Sequence, residues 1–207
     1  MESQAMKQTS LPFALTPVSG SRWITDFDSA TTTALPQTDL FIRPGTRRKP
    51  GEDSEMNAPM LLGHQPDGDF QFSARVKAEL ASTFDAGALV IWVDDRNWAK
   101  LCFEYSPSGE RTVVSVVTRD VSDDANSFAV DEDHVWLRIS RLGNVLAFHA
   151  SFNSKKWMLV RVFELAASLS SAAVGFVAQC PMGDGCRVDF DQLSFTGEKL
   201  LDLRDGS

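Results

Sequence analysis

Residues 70–76 read Phe-Gln-Phe-Ser-Ala-Arg-Val, an unbroken alternation of apolar and polar side chains. Successive side chains of a β-strand point to opposite faces of the sheet, so this stretch predicts a strand with one buried face and one solvated face. The pattern recurs along the chain, and turn residues separate the repeats at close to the 8–12-residue spacing that is typical of sandwiches. The sequence therefore predicts an all-β sandwich.

Further strands are predicted at 89–93, 98–105, 113–118, 135–140, 145–152, 157–163, 173–179 and 187–195. We expect residues 44–66 and 119–134 to form loops, and residues 164–172 to form at most a short helical turn. Residues 1–20 are predicted to be a flexible lead-in, residues 21–198 a single β-sandwich domain, and residues 199–207 a charged tail.

The hairpin turn at Pro107 and Ser108 raises a question of register. We expect Lys100 to lie opposite Ser115, because a register slipped by one residue would set Lys100 against the apolar Val116. The turn type is the feature able to overrule this expectation.

Composition restricts the classes of function. The 207 residues are 43% hydrophobic and 23% charged and carry a formal net charge of -8, so binding to nucleic-acid phosphates is not expected. No window approaches 18 uninterrupted apolar residues, and the N-terminus lacks the pattern of a signal peptide. Three cysteines fit reduced thiols, and we expect a cytoplasmic protein without a membrane partner. A homodimer formed through an edge strand is left open.

The candidate ligand site consists of eight side chains. Seven are polar and sit at alternating strand positions, and the eighth is a tryptophan that shares the parity of Lys100 and Glu104. The cluster has three cations against one carboxylate, which favours a small anionic ligand such as a sugar acid. The alternative is an ion-pair network that only keeps the sheet soluble. The ligand-binding residues are predicted to be Trp98, Lys100, Glu104, Ser115, Arg138, His149, Arg161 and Gln179.

Two of these residues are candidates for catalysis if the protein is an enzyme. Glu104 or His149 would act as acid or base. Glu104 is the only carboxylate between residues 98 and 105, so glycoside hydrolysis would need a second acid from a loop, such as Asp94 or Asp123. Trp92, Trp136 and Trp157 are further indoles that would edge a cleft or pack in the core.

Two Asp-Asp-x-Asn sequences, at 94–97 and 123–126, have the oxygen ligands that calcium prefers, but Asp and Asn are also the usual turn formers. No His/Cys spacing indicates zinc, so we expect no metal site and no cofactor other than this calcium alternative.

Several stretches resemble one known family. They are residues 98–109 (Trp-Ala-Lys-Leu-Cys-Phe-Glu-Tyr-Ser-Pro-Ser-Gly), 114–118, 122–126, 137–141, 148–151, 157–161 and 174–181. This set is similar to the domains labelled "regulation of enolase protein, concanavalin A-like". The resemblance implies a concanavalin A-like jelly roll of two stacked antiparallel sheets and no established activity.

Three functions follow as hypotheses. The first is binding of a small polar, carbohydrate-like or acidic ligand on the concave sheet. The second is an enzyme that acts on a sugar or another metabolite by acid/base chemistry in the same pocket. The third, which the family label implies, is a protein-interaction module that regulates a metabolic enzyme.

Overall fold

The computed structural model describes residues 6–18, 20–45, 54–166 and 168–207, which form two large antiparallel sheets. Sheet A has, in spatial order, β1 (Thr16–Pro17), β6 (Met60–Gly63), β15 (Ala173–Gln179), β8 (Ala86–Asp94), β9 (Asn97–Tyr105), β10 (Arg111–Arg119) and β11 (Val121–Ala129). Sheet B has β14 (Met158–Phe163), β13 (Val145–Ser151), β12 (His134–Leu142), β7 (Phe70–Ala78), β16 (Cys186–Thr196), β3 (Ser29–Ala34) and β2 (Ile24–Asp26). The predicted all-β, two-sheet antiparallel sandwich is confirmed.

The main core lies between the two sheets. Leu101 and Phe103 of β9 face Phe72 of β7 and Phe148 of β13 across the sandwich, and all four are fully buried. This face of each sheet is the apolar parity that the strand alternation predicts. Side chains of the opposite parity therefore lie on the two outer faces, on opposite sides of the molecule.

A small hairpin covers the outer face of sheet A. It consists of β4 (Leu40–Ile42) and β5 (Ser54–Met56), and it buries a second apolar cluster that includes Leu40, Trp98 and Val116. As a result β9 and β10 are buried on both faces along almost their whole length. Their outward side chains are enclosed by protein rather than solvated.

The predicted register of the β9–β10 hairpin is wrong by one residue. Lys100 pairs with Val116, Ser115 pairs with Leu101, and Glu104 pairs with Thr112. The turn decides this register, because Ser106 N–H bonds the Glu110 carbonyl and Gly109 takes a positive φ of 81°. The burial argument was wrong because the β4–β5 hairpin covers the outer face of these two strands. Most side chains on both faces are therefore apolar, and polarity does not distinguish the two registers.

Some expected loops contain regular structure. Residues 121–129 form β11 at the edge of sheet A, and residues 60–63 form β6. The expected helical turn at 164–172 is reduced to a 3-10 turn at Leu169–Ser171. Strand β11 was missed because its sequence, Val-Ser-Asp-Asp-Ala-Asn-Ser-Phe-Ala, has no apolar alternation.

Both expected terminal segments make contacts with the sandwich. In the expected lead-in, Leu11 is buried in the main core and Thr16–Pro17 pairs with β6. In the expected tail, Leu200 and Gly206 are buried and the backbone lies against sheet B. Residues on both sides of the predicted limits of 21 and 198 therefore contact the sandwich, and the domain limits stay a prediction.

None of the helices among the described residues is long and apolar enough to span a membrane.

Candidate functional site

Three of the predicted site residues meet on the outer face of sheet A. Lys100 and Glu104 lie on β9, and Gln179 lies on β15, two strands away. The intervening strand places Ala86 directly between Glu104 and Gln179. Ala86 has only a methyl side chain, and Lys100 reaches Gln179 across this strand.

These residues form the floor of a cavity of about 380 Å³, which we call the sheet A cavity. Such a volume is within the roughly 300–1,000 Å³ range of small-molecule sites. The β4–β5 hairpin and its flanks form one wall, β11 contributes Asp124, and the loops before β8 and after β15 form the rim. The other lining residues are Asp39, Phe41, Arg43, Glu55, Phe84, Val114, Val116, Pro181 and Met182.

Lys100 is held at the floor by a network of polar groups. Its side chain is 2% exposed, and Nζ donates to Oε1 of Gln179 at 2.5 Å and lies 3.7 Å from Oδ1 of Asp39. Gln179 Nε2 in turn donates to the Phe84 carbonyl at 2.9 Å. A buried ammonium ion is tolerable when it is paired and hydrogen-bonded in this way.

Glu104 is the least compensated group on the floor. The residue is 8% exposed, and within the described part of the chain no donor forms a hydrogen bond with its carboxylate. Burial raises the pKa of Glu104 to about 7; Lys100 opposes this shift, while Asp39 and Asp124 add to it. Near neutral pH the group therefore exists in both protonation states.

The charge of the sheet A cavity differs from the expectation of three cations against one carboxylate. Among the residues that the structure describes, its lining has four carboxylates and two cations, Arg43 and Lys100. The difference arises because Arg138 and Arg161 lie elsewhere, whereas acids from the hairpin and β11 enter the site. An acidic surface of this kind disfavours an anionic ligand.

Trp98 and Ser115 do not contribute to the cavity surface. Trp98 shares the face of Lys100, as predicted, but it is fully buried beneath the hairpin and stacks on Trp92 with ring centroids 6.2 Å apart. Ser115 pairs with Leu101 and so faces the main core. The one-residue error in register accounts for the misplacement of Ser115.

Arg138 and His149 lie on the outer face of sheet B, directly opposite each other on β12 and β13. The C-terminal segment, residues 200–207, covers them: Arg138 Nη2 donates to the Gly206 carbonyl at 2.7 Å, and His149 Nε2 lies 2.7 Å from the Leu203 carbonyl. Burial, and then the charge of Arg138, lower the pKa of His149 to about 4. His149 is therefore neutral at pH 7 and lies on the opposite side of the sandwich from Glu104.

Arg161 closes an edge of the sandwich. Its Nη2 donates to Oδ2 of Asp123 at 2.8 Å, which joins edge strand β14 of sheet B to edge strand β11 of sheet A. The other acid considered for hydrolysis, Asp94, accepts from the backbone N–H of Arg96 and caps its own turn. The two carboxylates that influence Glu104 are instead Asp39 and Asp124.

The residues missed by sequence reasoning come from segments without strand alternation. Asp39 and Phe41 precede β9 by about sixty positions, and Phe84 lies in the loop before β8. A signal did exist for Asp124, which belongs to an Asp-Asp-x-Asn sequence, but it indicated a turn. Only the folded hairpin and the pairing of β11 with β10 bring these side chains to Glu104.

The structure does not add support for the calcium alternative. Among the described residues, no group of three or more His, Cys, Asp or Glu side chains is placed to hold a metal ion. In the two Asp-Asp-x-Asn sequences, Asp94 caps a turn and Asp123 binds Arg161, which are ordinary structural uses of these side chains.

Several solved structures resemble this chain. A functionally unknown protein from Saccharomyces cerevisiae has a TM-score of 0.76 at 23% identity, over 90% of this chain and 97% of that one. Carbohydrate-binding module CBM66 from Bacillus subtilis has a TM-score of 0.54 at 14% identity, over 91% and 98%. The GH43 protein BlXynB from Bacillus licheniformis has a TM-score of 0.66 at 15% identity, over 82% of this chain and 33% of that one. The chain thus spans about a third of BlXynB, and these likenesses show a shared fold.

No curated protein sequence matches the chain. A family match covers residues 19–198, most of the chain and nearly all of the sandwich. The chain belongs to the family described as protein of unknown function (DUF1349).

Proposed function

We propose that the chain binds a neutral carbohydrate-like ligand in the sheet A cavity. The observation that carries this proposal is the buried Glu104 carboxylate, which faces a cavity and has no hydrogen-bond donor from the described residues. Sugar hydroxyls supply such donors, and a buried polar group without a partner is costly enough that natural sites tend to satisfy it. The acidic lining favours a neutral ligand over an anionic one.

The rim of the cavity supports the same ligand class. Phe84 is 40% exposed and takes a positive φ of 69°, a conformation that is strained for a bulky residue. Hydrogen bonds hold it there: its N–H donates to the Tyr105 carbonyl and its own carbonyl accepts from Gln179. An aromatic side chain at the rim of a cavity with a polar floor is suited to packing on the apolar face of a sugar ring.

The resemblance to other folds adds support of a weaker kind. CBM66 is named as a carbohydrate-binding module, and BlXynB is named as a GH43 protein. At 14% and 15% identity neither transfers a ligand residue by residue, so the proposal depends on the cavity itself. The cytoplasmic location and the concanavalin A-like classification were both inferred from the sequence, and both stay predictions.

A thermal-shift and calorimetric screen tests the proposal, with xylotetraose, cellotetraose and a xyloglucan heptasaccharide as probes. A probe at 100 times its Kd stabilises the protein by about 2.7 kcal/mol, which is measurable. Phe84→Ala should weaken the binding of a positive probe about tenfold. The matched control is Phe27→Ala, which removes an exposed phenyl ring from the turn between β2 and β3 and should leave the affinity unchanged.

Two outcomes contradict the proposal. One is binding that survives unchanged in both Phe84→Ala and Glu104→Gln. The other is the absence of binding by all three probes at millimolar concentration, which would favour the protein-interaction role that the family label implies.

Acid/base catalysis is the second candidate function, and the pKa of Glu104 favours it. A pKa of about 7 lets one carboxyl group donate and accept a proton near neutral pH. Either Asp39 or Asp124 would supply the second carboxylate that hydrolysis of a glycoside needs. Conversion of a bound probe by the wild type, together with binding but no conversion by Glu104→Gln, would establish an enzyme; recovery of the probe unchanged would establish a binding module.

A further inference from the structure

The outer face of sheet B carries a second cavity, of about 330 Å³, on the opposite side of the sandwich from the first. We call it the sheet B cavity. Its floor comes from β7, β12 and β16, and the loop after β13 contributes Trp157. Arg138 is the only charged residue in the described lining, so this cavity has the opposite electrostatic character to the sheet A cavity.

The charge of Arg138 is buried without a counter-ion. The residue is 5% exposed, and within the described residues no carboxylate lies in ion-pair range of its guanidinium group. Nη1 donates to Gln71 at 3.0 Å, Nη2 donates to Gly206, and the group lies 4.3 Å from the centre of the Trp157 ring, but Nε is buried without an acceptor. Burial lowers the pKa of Arg138 to about 10, so it stays charged at pH 7. An uncompensated buried cation is costly, and a bound anion would offset that cost.

The rest of the lining has the chemistry that recognises a sugar ring. Trp136 and Trp157 are half-buried indoles, and the surface between them carries short hydroxyl and amide side chains, among them Gln192 and Ser194. The indole N–H of Trp136 donates to Oε1 of Gln192 at 3.1 Å, which fixes the orientation of the ring. Indole faces pack on the apolar faces of sugars, and amides and hydroxyls bond their OH groups.

We propose that the sheet B cavity binds a sugar residue that bears a carboxylate, that is, a uronic acid. The indoles contact the ring, Gln192 and Ser194 bond its hydroxyls, and Arg138 attracts the carboxylate. The proposal is independent of the function proposed for the sheet A cavity, whose acidic lining repels the same ligand.

The test uses two probes that differ only at C6, methyl β-D-glucuronide and methyl β-D-glucoside, and sodium acetate as a carboxylate without a ring. Titrations of the ¹⁵N-labelled protein at low salt follow the five indole N–H signals. The variants Trp136→Phe and Trp157→Phe assign the two signals that belong to the cavity. We expect the glucuronide to shift the Trp136 and Trp157 signals with a Kd at least about fivefold lower than that of the glucoside. Acetate should leave them unshifted.

Arg138→Gln should abolish the preference for the glucuronide. Its matched control is the double variant Arg75→Gln/Asp191→Asn. Arg75 lies over the Trp136 ring at 5.6 Å, but Asp191 neutralises it with two hydrogen bonds of 2.7 Å, so this variant removes a cation near the cavity together with its counter-ion. This control variant should keep the preference. Because Arg138→Gln also removes a contact with the C-terminal segment, Trp136→Ala serves as a second variant, which leaves that contact in place and should abolish binding.

The proposal would be overturned by equal affinity for both glycosides, by an equal response to acetate, by a preference that survives Arg138→Gln, or by the absence of shifts at probe concentrations up to about 20 mM. Shifts confined to indole signals other than those of Trp136 and Trp157 would place the ligand outside the sheet B cavity and overturn the proposal as well. Failure here leaves the neutral-ligand binding of the sheet A cavity untouched, because that binding is measured with different probes and variants.

Discussion

Burial of Glu104 should make the stability of this protein depend on pH in a way that one substitution removes. The pKa of Glu104 rises from an ordinary 4.5 to about 7 on folding, so the folded state holds the proton more tightly than the unfolded state. Stability from this group is therefore greatest below about pH 4.5 and is lost as the pH rises to about 7. Each pKa unit corresponds to about 1.4 kcal/mol, so the loss amounts to about 3 kcal/mol.

The assay is urea denaturation of the wild type and Glu104→Gln between pH 4.5 and 8. Glutamine does not ionise, so the stability of the variant relative to the wild type should rise by about 3 kcal/mol across this range. Asp94→Asn is the control: a backbone hydrogen bond from Arg96 lowers the pKa of this exposed carboxylate from 3.8, so its effect on stability should be constant above about pH 5. If the stability of Glu104→Gln relative to the wild type is equally independent of pH, the conclusion that burial raises the pKa of Glu104 is refuted.

Three other substitutions separate structural from ligand-binding roles. Trp98→Ala should lower the free energy of unfolding by about 3–5 kcal/mol, because it empties the cluster beneath the hairpin, and a loss below about 1 kcal/mol would contradict that placement. Gly206→Ala would put a methyl group 2.8 Å from Nη2 of Arg138 at a positive φ of 78°, so hydrogen exchange of residues 200–207 should accelerate; unchanged protection would contradict the docking of this segment. Arg161→Gln should cost less than about 1 kcal/mol in chemical denaturation, because its partner Asp123 is exposed, and should leave probe affinities unchanged.

The candidate site was predictable where strand parity alone decides which side chains are neighbours. Lys100 and Glu104 share one strand and one parity, and the structure places both on the floor of one cavity. Strand parity also predicts that Arg138 and His149 share one face, and they lie opposite each other on sheet B. It does not say which sheet a strand joins, so one predicted cluster is in fact divided between two outer faces, the core and an edge.

Local alternation, turn residues and composition were thus enough to determine that this chain forms a β-sandwich, because each strand must bury its apolar parity against another layer. The tertiary structure alone decided the order of strands in the two sheets, the register of the β9–β10 hairpin and the cover over sheet A. These features depend on contacts between residues far apart in the chain, such as Asp39 with Lys100 and Arg161 with Asp123. The pKa of Glu104 and the uncompensated charge of Arg138 follow from that long-range packing, since the same side chains on solvated strands would keep their ordinary properties.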